Sequence, residues 1–446
     1  MDQITKGISN TALHLALHYM ENNPEENIPK VVDALLVFIH DKKNRERLIA
    51  AKRVMKEKDN PYRNLIIRGF EELQPIVRKR FVSNFVLNAS MLGSERTQAL
   101  RDRYDCNIPW AILIDPTSAC NLRCTGCWAG EYEKTDSLEF ELMDRVIREG
   151  KEMGVYFYIY SGGEPTLRKA DLLKLAATHD DCMFLAFTNG TLVDSEFSQA
   201  LAELGNFALV FSIEGFEEQT DFRRGSGTYR KVLEGMRNMR EAKAPFGFST
   251  CYHSKNVDSV GSEDFLDFLI GQGCMFGWYF TYIPLGKNAD TTLMTSADKR
   301  EYMTHWVRGM RNKKPVFLLD FWNDGQYSDG CIAGGRRYLH INAAGDVEPC
   351  AFIHYANTNI RNSTLMDALQ SPLFMEYRKH QPFNKNLFQP CPLLDNPEAL
   401  AQMVKDSGAS STQPLDYEDI DELCAKCTGA AKEWESHANL LHEQYS

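Results

Sequence analysis

The sequence contains no apolar run approaching the roughly 18 residues that a membrane-crossing helix needs. Its first residues, Met1-Asp2-Gln3, lack the basic and apolar segments of a secretory signal. These absences predict a cytoplasmic protein with no transmembrane segment. A basic excess is missing too: 50 Lys and Arg stand against 61 Asp and Glu, a net charge of -11, which argues against a nucleic-acid partner. Disorder and fibrous structure are excluded by a composition that is 43% hydrophobic and 25% charged. A length of 446 residues suits two or three packed units.

Cysteine, by contrast, is plentiful, and a disulfide framework is improbable where thiols are kept reduced. Of twelve cysteines, eight fall in two groups: Cys120, Cys124 and Cys127, then Cys331, Cys350, Cys391, Cys424 and Cys427. This grouping points to metal. Cys106, Cys182, Cys251 and Cys274 are scattered and read as small buried apolar side chains.

The chain divides into three parts. Residues 1–104 show apolar positions at helical spacing, such as Ile28, Val31, Val32, Leu35 and Leu36, and read as a helical domain. Within it, residues 41–103 hold 16 Lys and Arg against 8 Asp and Glu, so the charge is polarised. The plain reading is a solvated helix surface; the sharper one is a face for an anionic membrane surface or an acidic partner. Residues 105–315 alternate strand-like and helical runs, the pattern of βα units on a parallel sheet. Strands are predicted at 111–114, 155–160, 183–187, 208–213, 246–251 and 276–282, with helices starting near Leu138, Asp171, Ser195, Thr228, Glu263 and Ser296. Six units predict an α/β fold with a partial (βα)6 barrel, whose site is built by the loops after the strands. Residues 316–446 begin with a hairpin, 338–342 and 347–353 about the turn Ala343-Ala344-Gly345-Asp346. They continue through an exposed linker at 405–415 to a last helix from about Glu418.

Directly after the first strand stands Asp115-Pro-Thr-Ser-Ala-Cys120-Asn-Leu-Arg-Cys124-Thr-Gly-Cys127-Trp128. Three thiolates can hold three irons of a [4Fe-4S] cube and leave the fourth open to a ligand. A structural zinc site is the alternative, but its usual two-plus-two cysteine spacing is absent.

This Cx3Cx2C spacing on the first strand-to-helix loop resembles the radical S-adenosylmethionine (SAM) superfamily. Further motifs at successive strand ends are similar to that family's. Ser161-Gly162-Gly163-Glu164-Pro165 resembles the segment that holds the SAM amino group, and Thr188-Asn189-Gly190 its ribose-facing segment. Ser212-Ile213-Glu214-Gly215 resembles its Ser-Ile/Leu-Asp-Gly. Asp221-Phe222-Arg223-Arg224-Gly225 resembles the stretch whose arginine pairs with the SAM carboxylate, a task suited to a guanidinium fork. Tyr282-Ile283-Pro284-Leu285-Gly286 is similar to the closing segment beside the adenine. The likeness implies SAM contacts from Trp128, Gly162, Gly163, Glu164, Asn189, Ser212, Glu214, Arg224 and Pro284. Two departures stand out: Gly126 occupies the place of an aromatic, with Trp128 just after, and Glu214 replaces an Asp.

Cys331 and Cys350 are separated by thirteen residues, Gly345 and four more, a spacing explained by a hairpin turning at Gly345. The pattern resembles the twitch/SPASM extension with its auxiliary iron-sulfur clusters. No cysteine follows Cys427, so one auxiliary [4Fe-4S] cluster is expected. Five thiols compete for four positions: Cys331, Cys350, Cys424 and Cys427 are favoured, with Cys391 as an alternate ligand or a bystander. Zinc at Cys424 and Cys427, or a single rubredoxin-like iron, are the other readings. Arg336, Arg337 and His340 flank the hairpin and either tune the cluster by hydrogen bonds to sulfur or simply pack.

The resemblance implies reductive cleavage of SAM to a 5'-deoxyadenosyl radical that abstracts hydrogen from an unactivated C–H bond. The electron would come from a reductant such as flavodoxin or ferredoxin, and an auxiliary cluster would assist. No catalytic side chain is assigned beyond Cys251 and Tyr282, which are predicted to face the cavity. The substrate is a small molecule, a lipid or a peptide. An acyl-chain substrate, with coupling to membrane-spanning lipids and peripheral contact at the inner membrane face, is suggested by the basic helical domain and by similarity to proteins of anaerobes in a lipid-linked sector of the family. A peptide maturase is the alternative, although the amino-terminal domain lacks the strand-rich pattern of leader-peptide binders. A non-enzymatic electron-transfer protein would have no need of the SAM-type motifs.

Overall fold

Short apolar runs, buried on both faces as parallel strands require, form the frame of the molecule. The computed structural model describes residues 15–38, 42–130, 132–413, 415 and 417–445. The strands are β1 (Ala111–Ile114), β2 (Phe157–Tyr160), β3 (Met183–Thr188), β4 (Phe207–Ser212), β5 (Phe246–Tyr252), β6 (Phe276–Thr281), β7 (Phe317–Asp320), β8 (Tyr338–Ile341) and β9 (Val347–Glu348). They make one sheet in the order β7-β6-β5-β4-β3-β2-β1-β8-β9. Every pair is parallel except β8 with β9.

Side chains alternate across this sheet. Ile112, Tyr158, Phe184, Leu209 and Phe248 pack with the crossover helices. Leu113, Phe157, Ile159, Leu185 and Val210 face the interior, where they meet the carboxy-terminal segment. Crossover helices begin where polar caps stand: Asp194 accepts from Phe197 N ahead of Ser195–Leu204, and Ser262 accepts from Phe265 N ahead of Glu263–Gln272.

Two features depart from the six-unit expectation. A seventh parallel strand, β7, joins β6, and Phe317 at this sheet edge is 45% exposed. The hairpin predicted as part of a separate domain instead lays β8 in parallel along β1, pairing Ala111 with Tyr338. The sheet therefore runs across the boundary drawn at 315. The linker expected at 405–415 is also ordered: helix Pro397–Ser407 occupies its start, Ser410–Ser411 pairs antiparallel with Tyr355–Ala356, and Gln413 is buried. Its Ser, Gly and Thr residues serve as turn and strand positions of a covered segment.

The amino-terminal region is helical throughout its described part. Helices Pro24–Phe38, Lys42–Lys56, Pro61–Glu72 and Pro75–Arg80 lead into a π-helix, Phe81–Leu92, and then Gly93–Tyr104. The π-helix inserts Phe85 against Trp110 and Phe157, with ring centroids 5.5 and 5.4 Å apart, and so covers the amino-terminal ends of β1 and β2. Several basic residues are spent on this docking: Arg68 donates to Pro315 O, Arg80 pairs with Asp180, and Arg101 donates to Arg336 O. Among the described residues no helix is long and apolar enough to cross a membrane.

Candidate active site

The loop after β1 carries Cys120, Cys124 and Cys127, all half-buried. It is clamped by the loop after β2. Gly163 N donates to Thr117 O over 2.9 Å and Glu164 N to Ala119 O over 2.8 Å. A Cβ at Gly163 would lie 2.0 Å from Ala119 O, so only glycine permits this approach. Burial raises the Cys120 and Cys124 thiols. Cys120 feels Cys127 and Cys124, and Cys124 feels Cys127. Among the described residues no three His, Cys, Asp or Glu side chains converge as ligands of one ion.

Glu164 is 1% exposed and fully engaged by the protein. Its oxygens accept from Thr166 N at 3.0 Å, Thr188 Oγ1 at 2.7 Å and Asn189 N at 2.7 Å. Burial raises its carboxyl, and these bonds oppose the rise. Glu164 therefore ties the β2 loop to the β3 loop. Asn189 extends the tie, donating to Asn121 Oδ1 over 2.8 Å with the same amide 4.0 Å from Cys120 Sγ. Ser212 Oγ, further round the rim, lies 3.3 Å from Ser249 Oγ.

Glu214 is wholly buried between two guanidiniums. Arg223 Nη1 donates to its Oε1 over 2.6 Å, and Arg224 reaches the same oxygen through Nε at 2.9 Å and Nη2 at 2.5 Å. Cys251 N donates to Oε2 over 3.0 Å. Burial resists ionisation of Glu214, but the two arginines outweigh it and hold the carboxyl below its usual range. Two cations against one anion leave a net positive charge at the cysteine loop. Arg224 Nη1 lies 3.9 Å from Cys124 Sγ, and Arg223 donates to the carbonyls of Thr125 and Gly126. The sequence motif picks out Arg224; that Arg223 grips the loop backbone depends on a pairing between loops.

The glycine at 126 has a physical reason. Its φ is 63°, and a Cβ there would stand 2.5 Å from the ring of Tyr282. Tyr282, at the end of β6, thus covers the loop where a side chain at 126 would have projected. Its phenol is buried without a hydrogen-bond partner among the described residues. Cys251 and His253 stand beside it at the end of β5. Burial pushes the Cys251 thiol up to about 11, and burial followed by Arg223 pushes His253 down to about 4, so both are neutral near pH 7. Pro284 is buried, and its neighbour Gly286 accepts through its carbonyl from Lys426 of helix Ile420–Tyr445.

The second thiol group is gathered from distant segments. Cys331, Cys350 and Cys391 line one cavity together with Phe321, Trp322, Tyr338, Phe352 and Tyr377. Cys424 and Cys427 lie buried on Ile420–Tyr445, and Cys427 feels both Cys391 and Cys424. Cys391, left open by the spacing, thus stands in the wall with Cys331 and Cys350. Arg336 Nη1 reaches the Cys331 carbonyl over 3.0 Å, a backbone contact and not a sulfur one.

His340 has a different task from tuning a cluster. It is 0% exposed, with Nδ1 2.7 Å from Glu348 Oε2 and Nε2 2.9 Å from Asp115 Oδ2, the latter off the line of a good hydrogen bond and so an ion pair. Burial alone would lower its pKa, but the two carboxylates raise it to about 10. Tyr132 Oη donates to Glu348 over 3.0 Å, and Trp128 packs edge-on against His340 at 5.5 Å. This cluster joins the cysteine loop to the hairpin. Asp115, Tyr132 and Glu348 were not singled out in the sequence; an acid directly after an apolar strand was the available signal for Asp115.

Family comparison agrees with this layout. Residues 114–265 match the Radical SAM superfamily, and residues 331–392 match SPASM, an iron-sulfur cluster-binding domain. The chain is 25% identical over 291 residues to an AdoMet-dependent heme synthase of Methanosarcina barkeri, covering 57% of this chain and 80% of that one. It is 26% identical over 298 residues to a PqqA peptide cyclase of Granulibacter bethesdensis, covering 60% and 76%. The fold resembles SuiB of Streptococcus suis bound to S-adenosylmethionine, with a TM-score of 0.55 at 18% identity over 67% of this chain and 76% of that one. These two domains imply one [4Fe-4S] cluster with SAM and an auxiliary cluster, and the cysteine loop and the hairpin site offer thiols for both. The chain is a radical SAM superfamily enzyme with a carboxy-terminal SPASM iron-sulfur domain.

Proposed function

We propose that this enzyme functionalises an unactivated C–H bond in a peptide, using Cys120, Cys124 and Cys127 for the SAM-binding cluster. Cys331, Cys350, Cys391 and Cys427 are assigned to the auxiliary one. The pairing of β1 with β8 carries this reading, because it sets the first cysteine loop and the auxiliary hairpin on adjacent strands with Trp128 between them. When bound, SAM and its cluster supply a 5'-deoxyadenosyl radical that abstracts the hydrogen atom.

The chain's own residues do the positioning. Arg224, braced by Glu214, offers its remaining N–H groups to the SAM carboxylate, and the net positive charge of the triad suits that anion. Gly162 and Gly163 let the β2 loop close on the segment that leads into the cysteine loop. Tyr282 covers the loop and excludes water. The electron comes from a one-electron donor of the flavodoxin or ferredoxin type. The peptide class is supported by the PqqA peptide cyclase and by SuiB, which has been crystallised with its precursor peptide SuiA. The relatives described above include no lipid enzyme.

The test is anaerobic incubation of the reconstituted protein with SAM, dithionite and a short peptide encoded beside its gene, followed by mass spectrometry. A peptide mass change dependent on Cys120, Cys124 and Cys127 is expected. An unchanged peptide, with altered acyl chains in liposomes or an altered porphyrin in parallel incubations, overturns the peptide assignment and leaves the radical chemistry standing.

A further inference from the structure

The cavity shared by Cys331, Cys350 and Cys391 is apolar for most of its wall, with Ile332, Ile353, Phe352 and Leu393 among its lining. Three polar side chains break this pattern. Tyr338, the first residue of β8, donates from Oη to Cys350 Sγ over 2.7 Å. Trp322 lines the same wall as Cys391 and opposes the rise that burial gives that thiol. Tyr377, on helix Pro372–His380, is 0% exposed, lies in the same wall, and has a phenol with no partner among the described residues.

Tyr377 is held there by a specific accommodation. Gly334, three residues after Cys331, has φ 62°, and a Cβ at that position would lie 2.5 Å from Tyr377 Cβ. A buried hydroxyl without a partner carries a desolvation cost that a hydrogen-bond acceptor brought by a ligand would offset. Thiolate and sulfide are the acceptors that an iron-sulfur group would bring.

Donors aimed at cluster sulfurs draw electron density from the core and favour its more reduced, more negative state. The apolar wall acts in the opposite sense, since low dielectric penalises added negative charge. We propose that Tyr338, Trp322 and Tyr377 set the reduction potential of the auxiliary cluster, raising it so that this centre takes up an electron more readily than its apolar surroundings alone would allow. They are positioning residues, and the proposal rests on the assignment of Cys350 and Cys391 as ligands.

The experiment uses the full chain with Cys120, Cys124 and Cys127 replaced by Ala, reconstituted anaerobically, so that only the auxiliary centre is titrated by electron paramagnetic resonance. In this background Tyr338→Phe and Tyr377→Phe are each expected to move the one-electron equilibrium about threefold to tenfold toward the oxidised form at unchanged iron content, tenfold being 59 mV. Trp322→Phe should move it in the same direction. Fluorotyrosine incorporated at 338 or 377, a stronger donor of the same shape, should move it the opposite way and serves if a Phe variant loses iron. Potentials within twofold of the parent in the Phe variants or with fluorotyrosine overturn the proposal. Full iron content after Cys350→Ala and Cys391→Ala instead overturns the ligand assignment.

Discussion

The two thiol groups are built in opposite ways. Cys120, Cys124 and Cys127 come from eight consecutive residues, and the rest of the barrel rim serves to hold that loop in place. Cys331, Cys350 and Cys391, which line one cavity, come from the hairpin and its approach and from a Pro-rich loop, and Cys427, assigned above to the same cluster, comes from the long helix Ile420–Tyr445. A local site needs a clamp, whereas a dispersed one needs the whole fold. The first should lose cofactor with little loss of fold when its thiols are removed, and the second should couple iron to stability.

The sharpest way to separate the two is by iron and product. Replacing Cys120, Cys124 and Cys127 with Ala should remove about half of about eight irons and abolish 5'-deoxyadenosine formation. Replacing Cys331, Cys350 and Cys391 should remove the other half, leave reductive cleavage of SAM, and lower the melting temperature more. Deoxyadenosine made by the first variant would sink the assignment.

Next in size are the buried charges that tie each site down. Glu214→Leu strands two guanidiniums and His340→Leu strands two carboxylates, each at a cost of about 3 to 5 kcal/mol in chemical denaturation. The His340 contribution has a definite pH window. Its folded pKa is raised to about 10, so its stabilisation is complete below an unfolded value of about 6.5 and is lost as pH rises through 10. His340→Leu should flatten the stability profile across that window; an unchanged slope would show that another group titrates there.

Smaller effects test individual contacts. Arg224→Lys should keep the iron and weaken SAM binding by about 1 to 3 kcal/mol, since an ammonium cannot brace on Glu214 and face a carboxylate at once. Unchanged affinity by calorimetry would move the carboxylate contact to Arg223. Cys424 and Cys427 are both buried on Ile420–Tyr445, and Cys427→Ala should lower auxiliary iron more than Cys424→Ala. The reverse result would restore Cys424 as the fourth ligand.

Much of the barrel could be read from the chain because its signals are local. The run Ala-Ile-Leu-Ile at 111–114 is a strand at those bounds, and the helices begin at or within two residues of Ser195, Thr228, Glu263, Ser296 and Asp171. β7 escaped notice because four residues at a sheet edge carry little periodicity. The 405–415 stretch has the composition of a linker, and its order comes from pairing with Tyr355–Ala356.

By itself the sequence determined the alternation of strands and helices, the Cx3Cx2C loop and the order of motifs at successive strand ends. All of these depend on spacing along the chain. Only the tertiary structure decided that β8 would lie along β1, that Cys391 would join Cys331 and Cys350, and that His340 would bridge Asp115 and Glu348. Spacing along the chain announces none of these contacts, the widest of which join Ala111 to Tyr338 and Asp115 to His340; what selects them is the burial of matching apolar faces and the pairing of charges that burial would otherwise leave alone.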